Sequence, residues 1–359
     1  MTLPAAVRKL AGSQGREMQN IYKLLRLNYV ARGHRLKFAA AYLAHALGLR
    51  HLAIRFDPVM ACNLRCKMCY FSDPAYVRSA KGIFSPEDIE RLASQFFPRA
   101  LLVVFGCSTE PTLYKNYPEL VKVAKRYKVP NVSLTTNAQL LKPEAIEKLI
   151  DHGLDEITIS CHGTARDTYE RFMVNASFEK LLSVLDVLEE AKRRRGSRTP
   201  ELRINYTVNS ENLEELRLFF DVFGRYTLST LQVRPVMDIN GEYRTPLGER
   251  ELDRYNQIIG ELGRQCRARR ITFLANTADP VYRDLNDTGA IMQAVHRYVG
   301  PMNVWREDFD WRKESYDEFC ERIGWGRQLL RSIFASLESV VKGNTGFVGK
   351  YAAKYEVKL

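Results

Sequence analysis

The chain has 359 residues, and at roughly 150 residues per domain this length predicts about two domains and enough sequence for a large core. Hydrophobic residues make up 45% of the chain, charged residues 27% and aromatic residues 11%, which excludes a mainly disordered, collagen-like or disulfide-stabilised protein. Uninterrupted apolar runs stay below the roughly 18 residues of a membrane-spanning helix, and the first residues lack a secretory signal pattern. We therefore expect a cytoplasmic protein.

Positive charge is concentrated near the amino terminus. Residues 1–50 contain nine Lys or Arg residues and one acidic residue, Glu17, so this segment contributes +8 to the formal net charge of +12. Apolar residues at helical spacing in 20–31 and 37–49 predict a basic helical arm. Two interpretations remain open: the helices pack on the body with solvated cations, or the arm contacts an anionic membrane surface and makes the protein membrane-peripheral. Residues 51–359 carry only +4, so nucleic acid is not an expected partner.

Short β-like runs alternate with helical patterns between residues 51 and 236. The predicted strands are 51–56, 101–105, 131–135, 155–160, 202–208 and 230–235. The predicted helices are 85–96, 117–127, 142–151, 166–195 and 211–223. This alternation predicts an α/β fold with parallel strands. If the sheet curls into a barrel, we expect functional residues at the carboxyl ends of the strands.

The alternation ends after residue 236. Residues 237–359 begin with turn-rich sequence and continue with helical patterns at 249–270, 287–299 and 316–341. We predict that this region forms a mainly helical C-terminal cap. The expected organisation is an arm over 1–50, an α/β domain over 51–236 and the cap over 237–359.

Three cysteines, Cys62, Cys66 and Cys69, follow the first predicted strand at a spacing too tight for core packing to explain. Structural zinc would need a fourth protein ligand, and no second cysteine pair lies nearby in the sequence. A three-thiolate site with one open position therefore favours an iron–sulfur cluster. A disulfide is disfavoured in a reducing compartment.

This Cys-x-x-x-Cys-x-x-Cys loop, with Met68 before its third cysteine, resembles the signature of the radical S-adenosylmethionine (SAM) superfamily over about residues 51–236. The resemblance implies a partial (β/α)6 parallel barrel and one 4Fe-4S cluster, in which Cys62, Cys66 and Cys69 bind three irons and SAM binds the fourth. Such a cluster passes one electron to SAM, and the broken carbon–sulfur bond releases a 5′-deoxyadenosyl radical. The resemblance also implies an external one-electron reductant of the flavodoxin or ferredoxin type.

A second segment, Phe105–Thr112, resembles the Gly-Gly-Glu-Pro segment of the superfamily, with Ser108 and Thr109 in place of the glycines. The resemblance gives Glu110 the role of accepting hydrogen bonds from the SAM ammonium, a pairing that is strong in a dry site. Because the segment directly follows the second predicted strand, it falls where the fold class predicts functional residues.

Later segments add further candidates at strand ends. Residues 134–141 resemble the Thr-Asn-Gly segment of the superfamily, with Ala138 in place of glycine, and residues 159–172 resemble Ser-x-Asp-Gly followed by Thr-Tyr-Glu-Arg, with His162 in place of Asp. For His162 a hydrogen-bonded loop histidine is favoured over a catalytic role. The cofactor-binding residues that we expect are Tyr70, Ser108, Thr109, Glu110, Asn137, Ser160, Arg171 and Asn209.

The remaining cysteines bear on the reaction. Cys107 and Cys161 follow strands two and four and are candidate hydrogen-atom donors to a substrate radical, although a small buried residue is the favoured interpretation of each. Cys266 and Cys320 are too few to hold the auxiliary clusters of the cysteine-rich C-terminal extension that many superfamily members carry. The absence of this electron route favours a redox-neutral outcome such as epimerisation, elimination or rearrangement.

The substrate is less defined by the sequence than the cofactors. The basic arm loosely resembles the lead-in of members from polysaccharide and lipid-linked sugar pathways, so we predict hydrogen abstraction from a sugar, nucleotide-sugar or lipid-linked glycan. Arg234 and Arg244 are candidate phosphate contacts, whereas packing is the favoured role of Trp305, Trp311 and Trp325 over stacking on a sugar.

Two further classes of function remain to be separated from this prediction. The first is modification of a peptide or protein side chain by the same radical chemistry. The second is an electron carrier without turnover, which is disfavoured because Glu110 and Ser160 would then have no purpose. The sequence therefore predicts a radical enzyme with a small-molecule or glycan substrate.

Overall fold

The computed structural model describes residues 33–236, 247–275 and 287–341, which contribute nine strands to one sheet. The strands are β1 (Leu52–Phe56), β2 (Ala100–Phe105), β3 (Asn131–Thr136), β4 (Glu156–Cys161), β5 (Glu201–Val208), β6 (Leu228–Pro235), β7 (Thr272–Ala275), β8 (His296–Gly300) and β9 (Asn303–Val304). Their order is β7-β6-β5-β4-β3-β2-β1-β8-β9, and every neighbouring pair is parallel except β8 with β9. The predicted α/β fold with a mostly parallel sheet is confirmed.

The six strands predicted from sequence correspond to β1–β6, and their ends agree within about two residues. Each of these strands lies beside its successor along the chain, as in the pairs Phe56 with Phe105 and Val104 with Ser133. Because the strands are parallel, the segments that follow them meet at one edge of the sheet. Closure of the sheet into a partial barrel stays a prediction.

Helices alternate with these strands. They are α1 (His34–Ala46), α2 (Pro74–Ser79), α3 (Pro86–Phe96), α4 (Tyr117–Arg126), α5 (Pro143–Asp151), α6 (Arg166–Phe172), α7 (Phe178–Arg195), α8 (Phe219–Phe223), α9 (Glu249–Ala268), α10 (Asp287–Val295), α11 (Tyr316–Arg322), α12 (Trp325–Phe334) and α13 (Leu337–Val341). The pattern at 166–195 predicted one helix, but it breaks near Asn175, whose φ is 75°. None of the helices in the described ranges has the length and apolarity needed to traverse a bilayer.

Helix α3 shows how the sequence sets these boundaries. Ser85 accepts a hydrogen bond from the backbone N–H of Asp88, and the Asp88 side chain accepts one from the backbone N–H of Ser85. This reciprocal pair forms a capping box, and Pro86 in the first turn needs no backbone partner. The buried residues Ile89 and Phe96 then attach one face of α3 to the core.

The C-terminal region differs from the predicted helical cap. β7 pairs with β6 and β8 pairs with β1, so this region extends the sheet at both ends in addition to forming helices. The pattern at 287–299 predicted a single helix, but α10 ends at Val295 and β8 begins at His296. The prediction failed because both strands are short and β8 contains Arg297, a residue atypical of a buried strand.

Within the predicted basic arm, the structure describes α1 but not the helix expected at 20–31, which lies outside the described residues. Phe38 and Ala41 of α1 are buried in the core, and His34 Nε2 lies 2.8 Å from the backbone oxygen of Ala335, just beyond α12. Helix α1 therefore packs on the body, as in the first of the two interpretations of the arm.

Candidate active site

Segments around the carboxyl ends of β1–β6 surround a cavity of about 220 Å³. Nine residues predicted from sequence line it: Cys62, Cys66, Cys69, Cys107, Ser108, Thr109, Glu110, Asn137 and Ser160. The rest of the lining is Met68, Phe71, Thr135, Thr136, His162, Met173, Thr207, Arg234, Pro235 and Val236. Motifs that are more than 90 positions apart in sequence thus meet where the fold class predicts functional residues.

Backbone hydrogen bonds connect the cysteine loop to the end of α6 and to the residues that follow it. The backbone N–H of Arg65 donates to the oxygen of Val174, and that of Lys67 donates to the oxygen of Phe172, both at 3.0 Å. Met68 is buried in a small apolar cluster with Phe172 and Val236. These contacts fix the backbone between the cysteines, which explains why an apolar residue precedes the third one.

The three thiols suit a cluster better than a single metal ion. Each of Cys62, Cys66 and Cys69 is partly buried, and burial raises the pKa of Cys62 to about 12 and that of Cys66 well above its usual value. Iron ions displace such protons, because the bound form of a cysteine ligand is the thiolate. In a 4Fe-4S cluster each cysteine binds a different iron, so the arrangement fits that group.

Glu110 links the loops after β2 and β3. Its Oε1 accepts hydrogen bonds from the hydroxyls of Thr112 at 2.5 Å and Thr136 at 2.6 Å, and its Oε2 accepts one from the backbone N–H of Asn137 at 2.8 Å. The residue is only 2% exposed, and this burial raises the pKa of its carboxyl. Oε2 has one protein donor, so it retains acceptor capacity toward the cavity.

Asn137 links the β3 loop to the cysteine loop. Its Nδ2 donates to Asn63 Oδ1 at 2.9 Å and lies 3.9 Å from Cys62 Sγ. The next residue, Ala138, is fully buried with φ at 65°, in the left-handed region where an L side chain is strained. This conformation explains why the superfamily segment has glycine at the position of Ala138.

The turn after β2 also requires a residue with a positive φ angle. Gly106 has φ at 80°, and a Cβ there would lie 2.3 Å from the backbone oxygen of Thr135 and 2.7 Å from Pro111 Cδ. No larger residue fits this position without moving the β2 and β3 loops apart. The close approach of these loops is what allows Glu110 to reach Thr136.

Sequence reasoning missed Asp57, which is fully buried at the end of β1. Its carboxylate accepts hydrogen bonds from the backbone N–H groups of Cys107 at 2.7 Å and Ser108 at 3.1 Å, and from the hydroxyl of Tyr298 at 2.9 Å. Burial raises the pKa of Asp57, while these donors oppose the shift. An acidic residue that directly follows a buried strand was the available signal.

Four predicted residues are absent from the cavity lining. Tyr70 packs against Tyr76 with 5.3 Å between ring centroids, and the Arg171 guanidinium pairs with Glu211 at 2.7 Å on the surface. Asn209 is buried, and its Oδ1 accepts hydrogen bonds from backbone N–H groups of the following turn. Cys161, the fourth, lies in the apolar core, and its thiol donates to the backbone oxygen of Gly163 at 3.1 Å.

The remaining candidates are two arginines and one histidine. Arg234 and His162 both line the cavity, and burial together with the charge of Arg234 lowers the pKa of His162 to about 4. His162 is therefore a neutral imidazole near pH 7. Arg244 lies outside the described residues.

The tryptophans pack instead of lining the cavity, in agreement with the favoured interpretation. The rings of Trp305 and Trp325 contact the Arg297 guanidinium. Its carbon lies 3.9 Å from the centroid of the Trp305 ring and 4.8 Å from that of the Trp325 ring. Trp311 packs edge-on against Phe84 at 5.7 Å. All three therefore belong to the structural core of the C-terminal region.

A model of the Radical SAM superfamily matches residues 58–221. The chain is similar to the probable GTP 3′,8-cyclase of Saccharolobus solfataricus, with 29% identity over 189 residues, 51% of this chain and 57% of that protein. It is also similar to the probable GTP 3′,8-cyclase of Thermococcus kodakarensis, with 34% identity over 141 residues, 38% of this chain and 43% of that protein. The chain thus spans less than two thirds of either relative.

The fold is similar to that of Streptococcus suis SuiB bound to S-adenosylmethionine. The TM-score is 0.56 at 16% sequence identity, over 71% of this chain and 60% of that chain. At this identity the likeness concerns the fold. The family match and the convergence of the motifs on one cavity identify a radical SAM superfamily domain over residues 58–221, for which one 4Fe-4S cluster and SAM are the expected cofactors.

Proposed function

We propose that this enzyme cleaves SAM reductively in the described cavity and abstracts a hydrogen atom from a nucleotide or nucleotide-linked sugar. The observation that carries the proposal is that Cys62, Cys66 and Cys69 line the same cavity as Glu110 and Arg234. When bound, the cluster supplies one electron to SAM and thereby the 5′-deoxyadenosyl radical. The protein contributes binding, orientation and exclusion of water.

Glu110 is proposed to hold the SAM ammonium. Thr112, Thr136 and the backbone N–H of Asn137 fix the direction of its carboxylate, so the free acceptor site of Oε2 is already oriented before the ligand binds. The ammonium charge also compensates the cost of burying an ionised carboxylate. Ser160, which lines the cavity from the end of β4, is proposed to bind ribose hydroxyls.

Arg234 is proposed to bind a phosphate of the substrate. It ends β6 and lines the cavity, and a planar guanidinium matches phosphate oxygens in pairs. The neutral His162 beside it can donate one hydrogen bond without adding charge. The similarity to probable GTP 3′,8-cyclases supports a nucleotide over a lipid-linked glycan or a peptide.

The conversion of the substrate itself is proposed to be redox-neutral, while SAM is cleaved reductively. Outside the cysteine loop, Cys266 is buried within α9 and Cys320 within α11, and both lie in the apolar core. Neither is placed to ligate a second cluster, so an auxiliary route for a second electron has no ligand set among the seven cysteines of the chain.

Cys107 is the preferred candidate for returning a hydrogen atom, because it lines the cavity and Cys161 does not. The thiol S–H bond would break and a C–H bond would form on the substrate radical, leaving a thiyl radical on Sγ. One electron from the external reductant and one proton from solvent would restore the thiol. Turnover in D₂O should then place one deuterium in the product, and Cys107→Ala should abolish it while Cys161→Ala retains it.

The proposal is tested with anaerobically reconstituted enzyme reduced by dithionite. We expect 5′-deoxyadenosine from the wild-type enzyme and none from Cys62→Ala. With substrates deuterated at their sugar carbons, deuterium should appear in 5′-deoxyadenosine with nucleotides or nucleotide-sugars. Transfer only from peptides or only from lipid-linked glycans would refute the substrate class.

The role of Arg234 is tested separately by Arg234→Lys and Arg234→Met. Because lysine keeps the charge but loses the paired donors, we expect KM for a phosphorylated substrate to rise in the order wild type, Lys, Met, by roughly tenfold in total. Formation of 5′-deoxyadenosine without substrate should stay unchanged. An unchanged KM in Arg234→Met would remove the phosphate role.

A further inference from the structure

Helix α1 has an exposed apolar face that its packing on the body leaves unexplained. Three leucines are exposed: Leu36 by 67%, Leu43 by 56% and Leu47, which directly follows the last residue of the helix, by 68%. Their spacing of seven and four residues places them on one side of the helix. Phe38 and Ala41 are buried on the other side, so α1 is apolar both toward the core and toward solvent. Contiguous exposed apolar surface of this kind marks an interaction site.

The neighbouring helix α12 continues this surface. His34 Nε2 lies 2.8 Å from the Ala335 backbone oxygen, so the first turn of α1 is beside the last turn of α12, where Phe334 is 76% exposed. One turn earlier in α12, Leu330 is 39% exposed. We use the name α1–α12 surface for the exposed large side chains of these two helices and of Leu47, which follows α1: the apolar residues Leu36, Leu43, Leu47, Leu330 and Phe334 and the three arginines described next.

Positive charge flanks these apolar side chains. Arg35, Arg327 and Arg331 are exposed on the same two helices. Residues 1–32, which precede α1 in the sequence and lie outside the described residues, contain six Lys or Arg residues and one acidic residue. Leucine and phenylalanine side chains surrounded by arginines are the combination that binds the headgroup region of an anionic bilayer.

We propose that the α1–α12 surface docks on an anionic lipid bilayer surface. The charge pattern favours this occupant over a second copy of the chain, because a two-fold dimer through this surface would bring Arg35, Arg327 and Arg331 of both copies together. Anionic headgroups neutralise the same arginines, while the leucines enter the apolar boundary of the bilayer.

Docking in this way leaves the cavity accessible. The chain leads from α1 into the amino end of β1 at Leu52, whereas the cavity lies at the carboxyl ends of the strands. None of the residues that define the docking surface lines the cavity, so docking does not require contact with the cavity residues. The proposal is independent of the substrate.

The experiment measures co-sedimentation of the full-length, cluster-loaded enzyme with vesicles. One set contains phosphatidylglycerol and phosphatidylcholine in a ratio of one to two, and the other contains phosphatidylcholine alone. We expect binding to the first set only, weakened by high salt. The triple variant Leu36→Ser, Leu43→Ser, Leu47→Ser should bind at least about tenfold more weakly.

A matched control substitutes three exposed apolar residues elsewhere, Ile83→Ser, Leu218→Ser and Met302→Ser, whose exposed fractions are 60%, 50% and 53%. This control should bind like the wild type, and both variants should keep wild-type melting curves and SAM cleavage, because all six residues are exposed and outside the cavity.

Two results would overturn the proposal. The first is wild-type sedimentation that does not depend on phosphatidylglycerol or that the α1 triple variant retains. The second is a wild-type dimer that the α1 triple variant converts to a monomer, since a second copy of the chain would then cover this face.

Discussion

Two fully buried charged side chains on neighbouring strands, Asp57 at the end of β1 and Arg297 in β8, are stabilised in different ways. Asp57 accepts hydrogen bonds from backbone N–H groups of the loop that carries Cys107 and Ser108. Arg297 donates to the backbone oxygens of Ala294 and His296 and lies between aromatic rings. The first charge is bonded to a loop that lines the cavity, and the second is enclosed by core residues.

The difference shows that burial of a charge does not by itself identify a functional site. Every buried charge needs partners, and the partners show what the charge organises. The partners of Asp57 include the backbone of the loop that carries Cys107, Ser108 and Glu110, so Asp57 organises a loop that lines the cavity. The partners of Arg297 join β8 to Trp305 and Trp325, so that the C-terminal helices attach to the sheet. Substitutions at the cavity should therefore change chemistry, and substitutions around Arg297 should change stability.

The largest difference in 5′-deoxyadenosine formation is expected between two cysteine variants. Cys69→Ala removes one proposed cluster ligand, so we expect 5′-deoxyadenosine formation to fall by about 1,000-fold or more, together with loss of the cluster absorbance and paramagnetic signal. Cys266→Ala is the control, because Cys266 is also a free thiol but lies fully buried within α9 in the core. It should keep its iron and lose about 1 kcal/mol of unfolding free energy. Iron loss in Cys266→Ala would contradict this division.

A second large effect is expected at Arg297. In Arg297→Met the two backbone oxygens lose their donors and the ring contacts lose their cation, so we expect the free energy of unfolding to fall by about 3 kcal/mol. Iron content and SAM cleavage per folded molecule should stay at wild-type levels. Denaturant unfolding and iron analysis measure the two quantities, and a stable variant with altered SAM cleavage would show that Arg297 acts on the site.

The region around Arg297 should also contribute to the acid stability of the protein. Burial lowers the pKa of His51 to about 4, with a further contribution from the charge of Arg297. Between the ordinary value of about 6.5 and pH 4, the unfolded chain takes up a proton on His51 that the folded protein does not. The free energy of unfolding should therefore fall as pH decreases through this range, by about 2 kcal/mol for this group.

The variant His51→Gln isolates that contribution. Its side chain does not titrate, so its unfolding free energy should decrease less between pH 7 and pH 4 than that of the wild type. His152→Gln is a suitable control, because the His152 side chain is partly exposed and its Nδ1 is hydrogen-bonded with the backbone oxygen of Pro118. Equal slopes for His51→Gln and the wild type would show that His51 is not neutral in the folded protein.

The same contrast explains what the sequence could and could not predict. The cysteine loop and the Glu110 and Asn137 segments are local patterns, and parallel strands bring their ends together, so the cavity lining was largely predictable. Asp57 is a single residue whose partners come from β2 and β8, and no local spacing reveals those contacts. β8 escaped detection because the ring cluster that permits a buried arginine is assembled from residues up to 28 positions further along the chain.

The smallest predicted effect tests whether Asp57 acts on the site through its loop. In Asp57→Asn one carboxylate oxygen becomes an NH₂ group, which donates hydrogen bonds and does not accept them. The backbone N–H of either Cys107 or Ser108 therefore loses its acceptor. We expect the loop that carries Glu110 to shift and the affinity for SAM to fall about tenfold, which corresponds to about 1.4 kcal/mol. The fully assembled cluster should remain, because the cysteine loop is held by other contacts. Tyr298→Phe removes only the third donor and should weaken SAM binding less. Calorimetric titration of the reconstituted variants with SAM measures both affinities, and unchanged affinity in Asp57→Asn would assign Asp57 to the core, on the same footing as Arg297.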